Sequence, residues 1–374
     1  MAEKKELKKS KPPGKHPALF VLLALCAVLI VMSVSPSSQP LLFEVPQKLS
    51  TRLSLENFRN VAGPEPRTPS VHAISLIPLP EGRLLAAWFG GSREGAADVA
   101  IYGSSFDGLN WSESRVLIDI NQLLGQSKQA ARKLGNPVLH LDRSGFLHLF
   151  VTSVALGGWA TAYIEHFRSG DGGKTFNHQR RLWLSSLANL SHLVRSPGVN
   201  LKRGGFLLPV YFELGIKYGL ELQFDAESRL IGARRMAGPS HLLQPWPVVR
   251  DESQLDYYLR DASASGGRVW LASRDAHEPV RPLALNNPDA SIAAWPSFDG
   301  ASWIVRNPDS IGRQQLVLQR LNAQQQVTET LVVARGGEGE EYSYPAMVMA
   351  TDGRLHVLYT DNRKRFGHRI YRGY

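Results

Sequence analysis

The chain has 374 residues, 43% of them hydrophobic, which is enough for one large core or two ordinary ones. Its one cysteine, Cys26, excludes an internal disulfide. The net charge is +10, of which residues 1–16 carry +4; beyond residue 16 there is no basic run interleaved with aromatics and no nucleic-acid motif, so the excess points to acidic glycans or solubility and not to nucleic acid.

The chain opens with six lysines, from Lys4 to Lys15, against two glutamates, and continues into an uncharged apolar run of 17 residues from Ala18 to Val34. That length is at the short end for a membrane-spanning helix, and basic residues before a first apolar segment hold the N-terminus in the cytoplasm. The expected organisation is a basic cytoplasmic tail (1–16), a transmembrane signal anchor (17–34), a linker (35–69) that begins with "SPSSQP", and a folded body (70–374) on the periplasmic or extracytoplasmic side. A cleaved signal peptide is the alternative for the apolar run.

The body carries one pattern five times: a turn glycine followed by a strand of alternating apolar residues. The copies begin at Gly82, Gly145, Gly205, Gly267 and Gly353, at intervals of 63, 60, 62 and 86 residues. A polar Asp turn ending in an aromatic recurs within this frame, as "SFDGLNW" (105–111), "SGDGGKTF" (169–176) and "SFDGASW" (297–303). The second copy ends like a phosphate-binding loop, but Arg168 stands where the first glycine of such a loop must be, and no calcium-loop Asp ladder with a closing Glu follows Asp171. These turns therefore read as hairpins that pin blade edges. Short strands, regular turns and a period near sixty residues argue for an all-β, six-bladed β-propeller, with one blade hidden in the long last interval around "LNNPDASIAAWPSFDGASWIV".

With "LLAAWFGGSREGAADVAIYGSSFDGLNWS", "SPGVNLKRGGFLLPVY" and "YSYPAMVMATDGRLHVLYTDNRKRFGH", the chain from about residue 65 onward resembles the sialidase (neuraminidase) family with Asp-box, or BNR, repeats. The resemblance implies a substrate carboxylate clamped by three arginines, a tyrosine nucleophile with a partner glutamate, a loop aspartate as acid and base, and no cofactor or metal. Counted from the turn glycines, it puts the nucleophile at Tyr344, the second arginine at Arg274, and His72 where the first arginine should be. Arg67, in "RTP", lies five residues too early. The third arginine should follow Asn-Pro, and none follows Asn287-Pro288; the expected glutamate before Gly267 is missing as well.

Other charged residues sit where inner-strand ends should converge on the axis. Arg93, Glu94 and Asp98 are in the loop after the first inner strand, Arg363 follows the last turn strand, and Glu213 follows "LLPVYF". The expected function is a membrane-anchored hydrolase of exo-sialidase type acting on a terminal acidic sugar, sialic-acid-like or uronic. Arg93, Arg274 and Arg363 bind the carboxylate, Glu94 or Asp98 protonates the leaving oxygen, and Tyr344 attacks. One alternative is a lyase on uronate chains with His72 as base. Another is a non-catalytic carbohydrate-binding propeller using Trp88, Trp159, Trp246 and Trp295 as stacking platforms.

Overall fold

The computed structural model describes residues 40–55, 61–185, 189–263, 267–274, 279–309 and 312–373. The expected tail and transmembrane anchor lie outside them; among the described residues, no helix is long and apolar enough to cross a membrane.

The strands form six antiparallel sheets of four or five strands. Each sheet is a blade, and the chain meanders through it from the axis outward. The innermost strands of blades I to VI are Ser70–Pro78, Lys133–Leu141, His192–Val194 with Val199–Asn200, Leu242–Val249, Ala293–Pro296 and Tyr342–Met349. These strands are almost continuously buried, as expected where neighbouring blades cover both faces. Blade VI packs back against blade I, which closes the ring and leaves no free sheet edge at the axis.

Blade VI is built from both parts of the described chain. Its third strand, Arg365–Gly373, pairs with Leu53–Leu55 and with Val61–Ala62, which form the outer edge. Upstream of these, Phe43 and Leu49 are buried and make bridges to Leu201 and Ser297. Much of the expected linker is thus part of the propeller. Its backbone is proline-rich and its pairing comes in pieces too short to show a strand period.

Four of the five turn glycines precede the second strand of a blade: Leu84–Gly91, Leu147–Val154, Phe206–Phe212 and Arg354–Asp361. Gly267 does not. It precedes Arg268–Ser273, the third strand of blade IV. The second strand of that blade is Leu255–Asp261, and its turn is closed by the Asp251 carboxylate, which accepts from the backbone N–H of Ser253 and Gln254 without help from glycine. The hidden blade is blade V, with Ala293–Pro296 and Ser302–Arg306 inside the stretch expected to hold it.

The Asp turns are hairpins. Asp107 accepts from the N–H of Leu109 and Asn110, and Asp171 from Thr175 and Ser169; both lie between the third and fourth strands of their blades. Asp299 is in a different place, between the first and second strands of blade V, with a left-handed φ of 60° and its carboxylate on Arg320. Their aromatic residues face inward: Trp111 packs on Phe106, while Phe176 and Trp303 are buried.

Blades II and VI repeat one buried polar feature. His148 and His356, on second strands, each bond through Nδ1 at 2.9 Å to the Nε2 of a third-strand histidine, His166 and His368. Burial holds His356 down to about 4 and His140, beside His148, down to about 3; it keeps His166 and His368 well below the usual range. These groups take up protons more readily when the chain is unfolded. The stability they lend is present above about pH 6.5 and is lost as pH falls toward 4, by up to about 1.4 kcal/mol per histidine per pH unit. Thermal unfolding followed from pH 7.5 to 4.5 should show the melting temperature falling steadily below pH 6.5; a flat profile would contradict this account.

Candidate active site

The innermost strands of blades I, IV and VI slip register between His72 and Ser75, Leu243 and Trp246, and Ser343 and Ala346. Each slip contains a non-glycine residue with positive φ: Ala73 at 55°, Gln244 at 48° and Tyr344 at 50°. Such a conformation costs an L-residue about 1–2 kcal/mol and persists only where the surroundings enforce it. A bulge re-aims its side chains. Here it makes side chains from different blades meet.

The carbonyls of Ile74 and Pro345 lie within two of these bulges. Arg195, in the turn between the two inner segments of blade III, satisfies both. Its Nη1 donates to Ile74 O at 3.3 Å, its Nη2 to Pro345 O at 2.8 Å, and its Nε to Ser291 Oγ at 3.1 Å. Arg195 is 2% exposed and has no carboxylate partner among the described residues. Burial brings it down to about 10, so it stays charged at neutral pH, with its guanidinium 5.2 Å from the ring centre of Tyr344.

Around this charge the other groups gather. The Tyr344 ring leans on His72, with centroids 4.1 Å apart, and its hydroxyl accepts from Arg260 Nη1 at 3.4 Å. Arg260 comes from the end of the second strand of blade IV and donates through Nε to Asp289 at 2.6 Å. Arg313 donates to Glu341 at 3.0 Å and to the carbonyl of Asp289 at 2.8 Å. Arg363 donates to Glu341 at 2.9 Å and to Glu94. Ser343 Oγ completes the shell of Glu341 at 2.6 Å. Arg260 and Arg313 thus lie beside Tyr344 and Arg363 beside His72, all fixed by carboxylates, and side-chain exposure rises from 11% at Arg260 to 40% at Arg363.

The electrostatics follow from this geometry. Burial alone would raise the Tyr344 hydroxyl, but Arg260 and Arg313 outweigh it and hold the group below the usual phenol value. Burial likewise works against Glu341, yet Arg363, Ser343 and Arg313 bring it down to about 2. Glu213 goes the other way: burial lifts its carboxyl above the usual range, while Arg260 and Lys217 only partly offset this. Tyr211, two residues earlier on the same strand face, is raised strongly by burial and by Glu213, and its hydroxyl lies 3.5 Å from Gln244 Nε2.

The expected site residues divide between this group and other places. Tyr344, His72, Arg363, Glu94 and Glu213 belong to it. Arg274 does not, because counting from Gly267 leads to the end of a third strand. There it donates to Glu221, which also holds Arg234 and Tyr257, between blades III and IV. Arg93 and Asp98 lie on the loop after the second strand of blade I, which was expected to be an inner strand. Both are exposed, and the carboxylate of Asp98 is engaged by the N–H and hydroxyl of Ser92 at 2.9 Å. Burial and the nearby Arg363 keep His72 well below its usual value, so at neutral pH it is an uncharged ring packed on Tyr344. Arg67 is off the axis, paired with Glu113. Of the four tryptophans, Trp88 and Trp246 are buried, Trp295 donates to Gln47 O, and Trp159 is part-exposed.

Arg260, Arg313, Arg195, Glu341 and Gln244 were not anticipated. One had a readable signal: a second Asn-Pro, Asn307-Pro308, precedes Arg313 by five residues. Buried Asn307 pins that turn through the carbonyls of Gln315 and Tyr342. Arg260 was hidden because no turn glycine precedes the second strand of its blade.

Residues 82–357 match the family model described as a BNR repeat-like domain. No curated protein sequence matches the chain. Solved structures with a similar fold include a Dyadobacter fermentans protein of unknown function, at 13% identity and a TM-score of 0.65, covering 88% of this chain and all of that one. The Hadza microbial sialidase Hz136 is 13% identical, with a TM-score of 0.64, and the match covers 81% of this chain and 66% of that one. An intramolecular trans-sialidase from Ruminococcus gnavus, solved with oseltamivir carboxylate, is 13% identical with a TM-score of 0.63 and coverages of 82% and 95%. The blade repeat, its Asp turns and the family match over most of its length make this chain a member of the sialidase-like BNR-repeat family.

Proposed function

We propose that the chain is a glycoside hydrolase of sialidase type that removes a terminal acidic sugar, sialic-acid-like or uronic. One observation carries this reading: a tyrosine hydroxyl on a strained, bulged strand is held below its usual pKa by Arg260 and Arg313. A phenol so stabilised ionises more readily and is a better nucleophile than a free one. The same guanidiniums can pair with a sugar carboxylate, for which a planar fork of donors is suited.

In the reaction, Arg313, Arg260 and Arg363 hold the carboxylate. The phenolate of Tyr344 attacks the anomeric carbon as the bond to the leaving oxygen breaks, and Glu213 gives that oxygen its proton. Water then attacks the same carbon, Glu213 takes a proton from it, and Tyr344 leaves as phenolate. Glu213 takes the role first expected of Glu94 or Asp98. Glu94 is committed to Arg363 and Asp98 to Ser92, whereas the carboxyl of Glu213 is biased toward the protonated form. His72 supports the ring of Tyr344 and takes no proton in this scheme.

Assayed on aryl sialosides and aryl glucuronides, Tyr344→Phe should lower kcat at least about 10²-fold, and Arg313→Ala should lower kcat/KM by a similar factor, the size of one charged hydrogen-bonded contact. Turnover of either substrate undiminished by Tyr344→Phe would refute the nucleophile. Release of unsaturated uronate ends would instead support a lyase.

The raised carboxyl of Glu213 should appear as a limb of the pH–rate profile, with kcat/KM falling as pH rises through its pKa. Glu213→Gln should remove that limb and lower the rate; an unchanged limb assigns the proton transfer to another group.

We further propose that the enzyme is anchored by residues 17–34 with its propeller on the extracytoplasmic side, as the lysines before the apolar run support. Alkaline phosphatase fused after residue 374 should be active in a bacterial host, since it folds only outside the cytoplasm. An inactive fusion, with the same reporter active in a cytoplasm made oxidising, would reverse the orientation.

A further inference from the structure

A polar cleft of about 550 Å³ lies at the outer rim of blades II and III, apart from the central residues. Its walls are the end of a helix, α1 (Ile120–Ser127), the outermost strand of blade II (Asn177–Arg181) with Trp183 beyond it, and Leu230 on blade III. The indole of Trp183 is 67% exposed. A bare indole face in a polar cleft suits the C–H face of a sugar ring, with hydrogen-bonding groups around its edge.

The surrounding amides are half used and so held in place. Gln126 Oε1 accepts from His178 N at 2.6 Å, which leaves its amide N–H groups to donate. Gln179 Nε2 donates to Asn177 O at 3.0 Å, which leaves its oxygen to accept. Sugar hydroxyls need both. The charge of the cleft is set by what is already neutralised. Arg181 is paired with buried Glu165 at 2.7 Å and donates to Ala130 O, and Glu165 is also held by His178. The guanidinium of Arg180 has no such partner among the described residues, so an anionic sugar is favoured.

The Trp183 end of the cleft lies toward the face of the propeller that carries Tyr344. The strand Ala162–Ser169 starts on the pocket face, just after the loop that carries Trp159, and Asn177–Arg181 runs antiparallel to it, so Trp183 emerges where that strand began. Between the two sites lies an aromatic path. Trp159 sits against Gly135 on the innermost strand of blade II, where a Cβ would meet its ring at 2.5 Å. The guanidinium of Arg181 stacks at 4.2 Å on Tyr163.

We propose that this cleft is a second glycan-binding site, which holds another acidic sugar of a branched or polymeric glycan while one terminus occupies the central pocket. The presenting role rests on the hydrolase reading above; binding at the cleft does not. The test uses Arg313→Ala, which weakens the central pocket, and follows 3′-sialyllactose, tetragalacturonate and neutral lactose by ligand-observed NMR. At least one acidic probe should still bind this variant, with lactose weaker. Adding Trp183→Ala should weaken that binding at least about tenfold with no change in melting temperature, and Arg180→Gln should remove the preference for the acidic probe. The proposal is overturned if no probe binds Arg313→Ala, if binding survives Trp183→Ala, or if lactose binds as well as the acidic probes. Trp183-dependent binding by a chain that hydrolyses none of the substrates would uphold the cleft and discard the hydrolase reading.

Discussion

The centre of the molecule depends on the guanidinium of Arg195. Two bulged strands bring the carbonyls of Ile74 and Pro345 to it, and a buried carbonyl left unsatisfied costs about 1–3 kcal/mol. Arg195 bridges both carbonyls and the Ser291 hydroxyl, and so ties blade III to blades I and VI and to the entry of blade V. It thereby holds Tyr344 in a backbone conformation that a tyrosine avoids. Because its partners are neutral, its charge is not cancelled. The protein places a fixed positive charge 5.2 Å from the ring centre of Tyr344, in a setting where little solvent screens it.

The outer shell follows a different rule. Arg260, Arg313 and Arg363 are each held by a carboxylate or carbonyl, with Glu341 shared between two of them. A guanidinium oriented in this way keeps donors directed at the pocket and loses little freedom when an anion arrives. Burial sorts the acids. Glu341 lies among cations and remains ionised, while Glu213 is buried with too little positive charge near it to offset the loss of water. In the proposed mechanism, two carboxyl groups driven in opposite directions divide orientation from proton transfer.

The all-β repeat was readable because turn glycines and Asp turns are local devices with local signatures. Counting failed where a blade closed its turn by other means. The Asp251 carboxylate does at blade IV what glycine does elsewhere, so the frame slipped by one strand at Gly267 and pointed to Arg274 instead of Arg260. Arg313 was within reach, since a second Asn-Pro marks it, but an arginine five residues past a turn says nothing about the axis until the turn itself is placed. Arg195 and Glu341 had no signal, because their roles depend on carbonyls and guanidiniums supplied by other blades. The acids of "SREGAAD" looked convergent because they share a loop, yet only Glu94 reaches inward.

The joining of Leu53–Leu55 to Arg365–Gly373 has a consequence for timing. The two strands are separated by more than three hundred residues; the Ser54–Arg372 contact spans 318. Closing a loop of that size costs about 5 kcal/mol in chain entropy, and the cost is recovered only when the last strands dock. Tyr344 stands on the first strand of the same blade. On the ribosome, Tyr344 therefore emerges with the last blade of the propeller, and the strand that seals that blade must wait through the synthesis of the other five. The cluster around Tyr344 and the topological closure of the ring are thus completed in one late step.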